Sequence, residues 1–363
     1  RPAARPRRHH LSAVDLLART AELVAIPSVS HDEAAITDHL ESQLRRTTHL
    51  DVTRVGNNLV ARTSLGRPMR LLLGGHTDTV PVNDNLPGRV DGDRLTGLGA
   101  ADMKGGVAVL LALALDVVEP AVDVTYVFYE CEEVEARFNG LGTLEREASS
   151  LLDCDAAILA EPTSSRIEAG CQGTMRVEVT VRGERAHTAR AWMGVNAVHR
   201  LGAVLRRLDA YEPRRPVLDG CEFHEGLQAV RVDGGVAGNV VPDRATLTIN
   251  HRFAPDRSPV EAEAHVREVV GDVDGFEVVD VAAGAPPGLT HPLLARLVEL
   301  AGEPPTAKLG WTDVSRFAAR GVPACNFGPG DPVLAHTQGE WVDRADLDRA
   351  HAALLDLLTH ATP

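Results

Sequence analysis

Two kinds of strand occur along this sequence, in separate stretches, and the separation sets the architecture before any single residue is considered. Residues 69–80 (MRLLLGGHTDTV) and 155–163 (DAAILAEPT) are short apolar runs that end in polar residues. Strands buried on both faces read this way, and in parallel sheets they deliver functional groups at their carboxyl ends. Between them, KGGVAVLLALALDVV (104–118) is a mostly apolar helical segment. Alternation of such strands and helices implies a layered α/β sheet. After Gly173 the pattern changes. MRVEVTVRGERAH, LQAVRVDGG and ATLTINHRF alternate apolar and polar residues, as half-exposed antiparallel strands do. With the helical segments 195–211 and 258–271 and the strand FEVVDVAA, the order is β-α-β-β-α-β, that of a ferredoxin-like sandwich. AAGAPPGLTHP leads out of it. Helical and strand-like segments of the first kind return in HPLLARLVELAG, GVPACNFG and DLDRAHAALLDLLTH. The expected fold is α/β: a discontinuous domain at 12–173 and 287–363, interrupted by an inserted α+β domain at 174–286. Residues 1–11, basic and Pro-rich, read as a disordered tail. Ser30 and Glu33 in SHDE read as a capping box opening the helix ITDHLESQLRR.

Charge and composition exclude several functions. The net charge of −14 argues against a nucleic-acid surface. No apolar stretch reaches the roughly 18–20 residues of a membrane span. The basic start has no hydrophobic segment behind it, so it does not read as a secretory signal. The five cysteines are scattered without a CxxC, which fits a reducing cytosol better than a disulfide framework. Cys131, beside an acidic pair, reads as small apolar packing at a strand end.

The chemistry lies at the ends of the apolar runs. His76, Asp78, Asp102, Glu132, Glu133, Glu161 and His336 all stand there or in Gly-rich loops. Imidazole and carboxylate are suitable ligands for zinc and its neighbours. Each residue alone has an ordinary reading: a satisfied strand-end histidine, a helix N-cap, a polar strand end. Together they supply donors for two cations and one spare carboxylate. Asp78 can orient His76 from its other ring nitrogen, and Asp102 can bridge two cations. If the strand persists, Glu132 and Glu133 point to opposite sides. One can then bind metal while the other takes a proton.

HTDTVP, GLGAADMKGG, the CEE pair, LAEPT and LAHT, in that order, resemble the motif series of the zinc-dependent amidohydrolase and metallopeptidase family. That family includes acetylornithine deacetylases, succinyl-diaminopimelate desuccinylases and carboxypeptidase-type enzymes. The resemblance covers the chain from about residue 12. It implies a zinc-peptidase-like catalytic domain with the inserted domain as lid and dimerisation element. It implies two zinc ions per subunit, with cobalt or manganese as substitutes. Asp102 would bridge them, His76 and Glu161 would complete one site, and Glu133 and His336 the other. Glu132 would be the general acid/base, with Asp78 orienting His76. Family members often carry a cis peptide after the bridging aspartate, here Asp102–Met103.

The resemblance also assigns recognition residues. His187 matches a histidine that enters the partner subunit's site in a homodimer and stabilises the oxyanion. Arg252 would clamp a substrate carboxylate, with Arg190 beside it and Asn239 bonding to the substrate. Gly310, Thr312 and Gly328 lie in loops resembling substrate-binding loops. Their ordinary readings are an exposed loop histidine, surface charges and turn chemistry. DNLPGRVDGDRLTGLGAADMKGG, FYECEEVEARFNGLG and FGPGDPVLAHT are most similar to the family's desuccinylase branch, whose substrates are small anionic amides. GCQGT around Gly173 and Val134 after the glutamate pair depart from the commoner pattern. An acetylornithine deacetylase or dipeptidase-like activity is therefore the alternative. A metal-free binding protein is the alternative of a different class. A decayed copy would lack at least one candidate ligand, and none is missing.

Overall fold

The computed structural model describes residues 15–360, so the tail read at 1–11 lies outside the described residues. These divide into two compact units. One comprises 15–167, 289–304 and 325–360, and the other 168–288 and 305–324. The sequence delimits the insertion at 174–286. The second unit also takes in 305–324, for which the contacts give the reason. Thr306 and Ala307 pair in parallel with Glu168 and Ala169, and Trp311 Nε1–H and Ser315 Oγ–H both donate to Ala283 O.

In the first unit, strands run side by side in the order Asp51–Val55, Asn58–Arg62, Asp123–Tyr129, Arg70–His76 and Ala156–Leu159. The first three are antiparallel neighbours, and Arg70–His76 is parallel to the strands on both its sides. Asp123–Tyr129 is buried at every residue, and Arg70–His76 at all but the first. The helix Gly105–Asp116 is buried from Gly105 through Ala114, so it is apolar all round rather than striped. Register decides where the strands release the chain. His76 lies opposite Tyr129, and Gly74 opposite Leu159. Residues 76–78, 130–133 and 160–161 therefore leave the sheet at one edge, the carboxyl ends of the parallel strands.

Two sequence readings are corrected here. The helix at 34–44 has Glu33 as its N-cap, with no side-chain capping bond. Ser30 Oγ–H donates to Asp78 Oδ2 at 2.8 Å, so its side chain is engaged with that buried carboxylate and not with the helix start. The strand on whose persistence the opposite facing of Glu132 and Glu133 is conditional stops at Tyr129. Cys131 takes φ = 56°, which turns the chain and puts Glu132 and Glu133 on a loop.

In the second unit, Gly173–Arg182, Ala197–Asp209, Gly226–Gly234, Arg244–Phe253, Pro259–Val270 and Gly275–Ala282 follow one another as β-α-β-β-α-β. All ladders of its four-stranded sheet are antiparallel, with Gly173–Arg182 and Arg244–Phe253 in the centre. Met175, Val177, Val179 and Val181 alternate inward against Leu201, Val204, Val266 and Val270 of the two helices. Ser258 and Glu261 form a capping box at the second helix.

Candidate metal centre

Eight of the candidate residues, Gly328 among them, sit in the first unit, and the structure brings donors of five of them into two groups. One ligand atom each of His76, Asp102 and Glu161 lies within 4.8 Å of the others, and the same holds for Asp102, Glu133 and His336. Asp102 belongs to both. Its Oδ1 is 3.1 Å from His76 Nε2, and its Oδ2 is 3.4 Å from His336 Nε2. His336 Nε2 is also 2.9 Å from Glu133 Oε1. His76 is 1% exposed, and the side chain of His336 51%, so one group is buried and the other faces outward.

The backbone around these donors is tightly determined. Asp102 lies in an irregular turn between Gly99, at φ = 78°, and the buried helix, and the Asp102–Met103 peptide is cis. Glu161 follows a strand end pressed from two sides. A Cβ on Gly106 would stand 2.2 Å from Ala160 O, and one on Gly328 would stand 2.4 Å from it. Only glycine permits those approaches. Gly328, read as a substrate-loop residue, is thus buried against the segment that carries Glu161.

Asp78 does more than face His76. Its Oδ1 stands 3.4 Å from His76 Nδ1, and the His76 ring also lies 3.1 Å from Asp78 O. Its two oxygens further accept the backbone N–H groups of Glu132 and Glu133, at 3.0 and 3.1 Å. One fully buried carboxylate therefore fixes the ring of one candidate ligand and the loop of the glutamate pair.

Electrostatics show what the site lacks. Burial opposes a charged ring at His76, but Asp102 and Asp78 outweigh it and hold the imidazole well above its ordinary value. Hydrogen bonds to Asp102 and Glu133 push His336 up to about 10. Burial opposes ionisation of Asp102, yet the two histidines hold it well below the usual carboxylate range. Three carboxylates draw protons onto two imidazoles, so this is a pocket short of positive charge. Protons and divalent cations compete for such donors. The donor set, oxygen and imidazole with no thiolate, fits zinc, cobalt or manganese.

The other candidates lie in the second unit. His187 is exposed, and its Nδ1 accepts the Ala189 N–H at 3.0 Å. Nε2 must therefore carry the ring proton and can donate. Asn239 O accepts the Thr188 N–H at 3.0 Å, which places Asn239 beside His187. Arg190 and Gly310 are exposed, Thr312 is buried, and Arg252 is half-buried on Arg244–Phe253. Burial lowers the Arg252 guanidinium from its ordinary value.

Sequence reasoning missed Ser30 and Glu340. Ser30 carried a competing helix-cap signature. Glu340, four residues beyond His336, accepts backbone N–H groups of Gly99, Ala101 and Asp102, and no motif announces such partners.

The chain is similar to known proteins over most of its length. The model of Peptidase family M20/M25/M40 matches residues 72–360. A Mycobacterium tuberculosis protein called putative succinyl-diaminopimelate desuccinylase is 54% identical, over 95% of this chain and 97% of its own length. Corynebacterium glutamicum succinyl-diaminopimelate desuccinylase is 46% identical, over 90% and 91%. A Bacillus subtilis structure described as a dinuclear metal binding peptidase of the M20 family superposes with a TM-score of 0.70. It is 16% identical and covers 94% and 96% of the two chains, a likeness of fold.

Proposed function

Because this chain belongs to Peptidase family M20/M25/M40 and is a hydrolase of amide bonds, we propose that it cleaves N-succinyl-LL-2,6-diaminopimelate to succinate and LL-2,6-diaminopimelate. That reaction supplies lysine and peptidoglycan precursors. The observation carrying the chemistry is Asp102, shared by two groups of ligand-type side chains. The substrate rests on the names of the two relatives at 54% and 46% identity.

In this reading His76, Asp102 and Glu161 would hold one divalent cation and Asp102, Glu133 and His336 a second, zinc first among the candidates. When bound, such cations acidify water and polarise an amide carbonyl. Glu132 is the general base: it accepts a proton from the attacking water and returns it to the leaving nitrogen as the C–N bond breaks. Proton count is conserved, and the products are a carboxylate and an amine. Asp78 supports this division of labour, since it grips the N–H of both glutamates. The Nε2–H of His187 suits donation to an oxyanion, and we place it in the partner's site of a homodimer. Arg252 and Arg190 would meet substrate carboxylates, for which guanidinium geometry is suited. Asn239, Gly310, Thr312 and Gly328 would line the substrate. All five cysteines are free, which supports a cytoplasmic protein.

The test is hydrolysis of N-succinyl-LL-diaminopimelate beside N-acetylornithine and a simple dipeptide, with zinc and with chelator. The expected kcat/KM for the succinyl substrate exceeds the others by about a hundredfold or more, and chelator abolishes it. Preference for N-acetylornithine or the dipeptide would overturn the substrate, and full activity in chelator would overturn the metal chemistry.

A further inference from the structure

Glu340 is 1% exposed, and among the described residues the hydrogen bonds to its carboxylate come from backbone N–H groups, with the buried Lys104 ammonium as a charged neighbour. Its Oε1 accepts the N–H groups of Ala101 and Asp102, at 2.8 and 2.9 Å, and its Oε2 accepts that of Gly99 at 3.1 Å. Its own O accepts the Gly97 N–H at 2.9 Å, and its N–H donates to Thr337 O at 3.3 Å. Trp341–Asp343 then continues as a strand paired with Arg94–Thr96. One residue therefore ties the segment carrying His336 to the turn carrying Asp102.

We infer that Glu340 is a positioning residue for the two-cation centre: it holds the turn of Asp102 so that the two oxygens of that carboxylate stay aimed at different partners. The inference rests on the two-cation reading above. Two physical features set Glu340 apart from an ordinary buried anchor. Three N–H donors converge on two oxygens. A carboxylate accepts all three, whereas an amide of the same shape must turn its NH2 toward one of them. An N–H left facing a donor in a buried site loses its bond and its hydration together. Second, the grip acts on Asp102 itself, through its own N–H and that of the residue before it. A small rotation of this turn changes both oxygen positions at once. Partners behind a ligand commonly set affinity in this way.

Asp123 provides an internal control. It too is a buried carboxylate holding a loop, accepting the Leu65 and Arg67 N–H groups at 2.8 and 2.9 Å and the Thr63 hydroxyl at 2.8 Å. None of these partners is a candidate ligand. The experiment compares the wild type, Glu340→Gln and Asp123→Asn in the full chain. It measures zinc equivalents against a graded chelator, the visible spectrum of the cobalt-loaded protein, and folding by far-UV circular dichroism. Wild type and Asp123→Asn should hold two equivalents with equal affinity and equal cobalt spectra. Glu340→Gln should fold, bind zinc about tenfold or more weakly, and show a changed cobalt spectrum. If Glu340→Gln does not fold, Glu340→Asp takes its place. It keeps both oxygens, withdraws them by one methylene, and should show the same loss of affinity. Wild-type affinity and spectrum in the Glu340 variant would overturn the inference alone. So would an equal loss in Asp123→Asn. A wild type that holds no tightly bound cation would overturn the two-cation reading and this inference with it.

Discussion

Each oxygen of Asp102 faces a different histidine, and residue types alone could name the donors but not this sharing. The candidate ligands were readable because each is a polar residue closing an apolar run or standing in a Gly-rich loop. Asp78 was legible as a partner of His76 through its spacing. Its hold on the Glu132 and Glu133 amides was not, because it depends on a turn at Cys131 that carries no compositional mark. His187 is singled out only by the family resemblance. Its structure adds that Nδ1 is an acceptor, leaving Nε2–H to donate. If His187 acts across a homodimer, mixing His187→Ala and Glu132→Gln chains, each nearly inactive, restores about a quarter of wild-type activity. Half of the re-formed dimers are hybrids, and each hybrid has one complete site. Hybrids that form and stay inactive would refute a role in trans.

At the scale of elements, hydrophobic period was the informative signal. It separated the buried strands of the first unit from the alternating strands of the second. Where it ran out, the pattern did not place the boundaries: the strand ends at Tyr129, before the positive φ of Cys131, and the helix starts at Ala34 without a cap from Ser30. The strand Arg244–Phe253 carries a further consequence. His251 is fully buried on it, with its ring 2.9 Å from Gly226 O and packed between Phe253 and His265. Burial pushes its pKa down to about 4, below the ordinary value of about 6.5. The unfolded chain therefore binds the proton more readily. The stabilisation is fully present above pH 6.5 and is lost as pH falls toward 4, in total about 3 kcal/mol. Denaturant unfolding at pH 7 and pH 4.5 should show wild type losing more stability than His251→Gln. Equal losses would show that His251 does not titrate in this way.

For the whole molecule, the two-part organisation was legible from the change of strand type. The placement of 305–324 was not, because it depends on a two-residue ladder and on two side chains meeting Ala283 O. Among the described residues no helix is long and apolar enough to cross a membrane. With a net charge of −14, an anionic substrate must be met by local guanidinium groups rather than by the general field. In the proposed function Arg252 and Arg190 would take that role. The assignment of parts, five ligands for two cations and one glutamate left to move the proton, is tested most directly by Glu132→Gln. Metal content and turnover are measured on the same samples. The account predicts two cations per chain, as in wild type, with kcat reduced by about two to four orders of magnitude. Near-normal kcat, or loss of a cation in that variant, would contradict it.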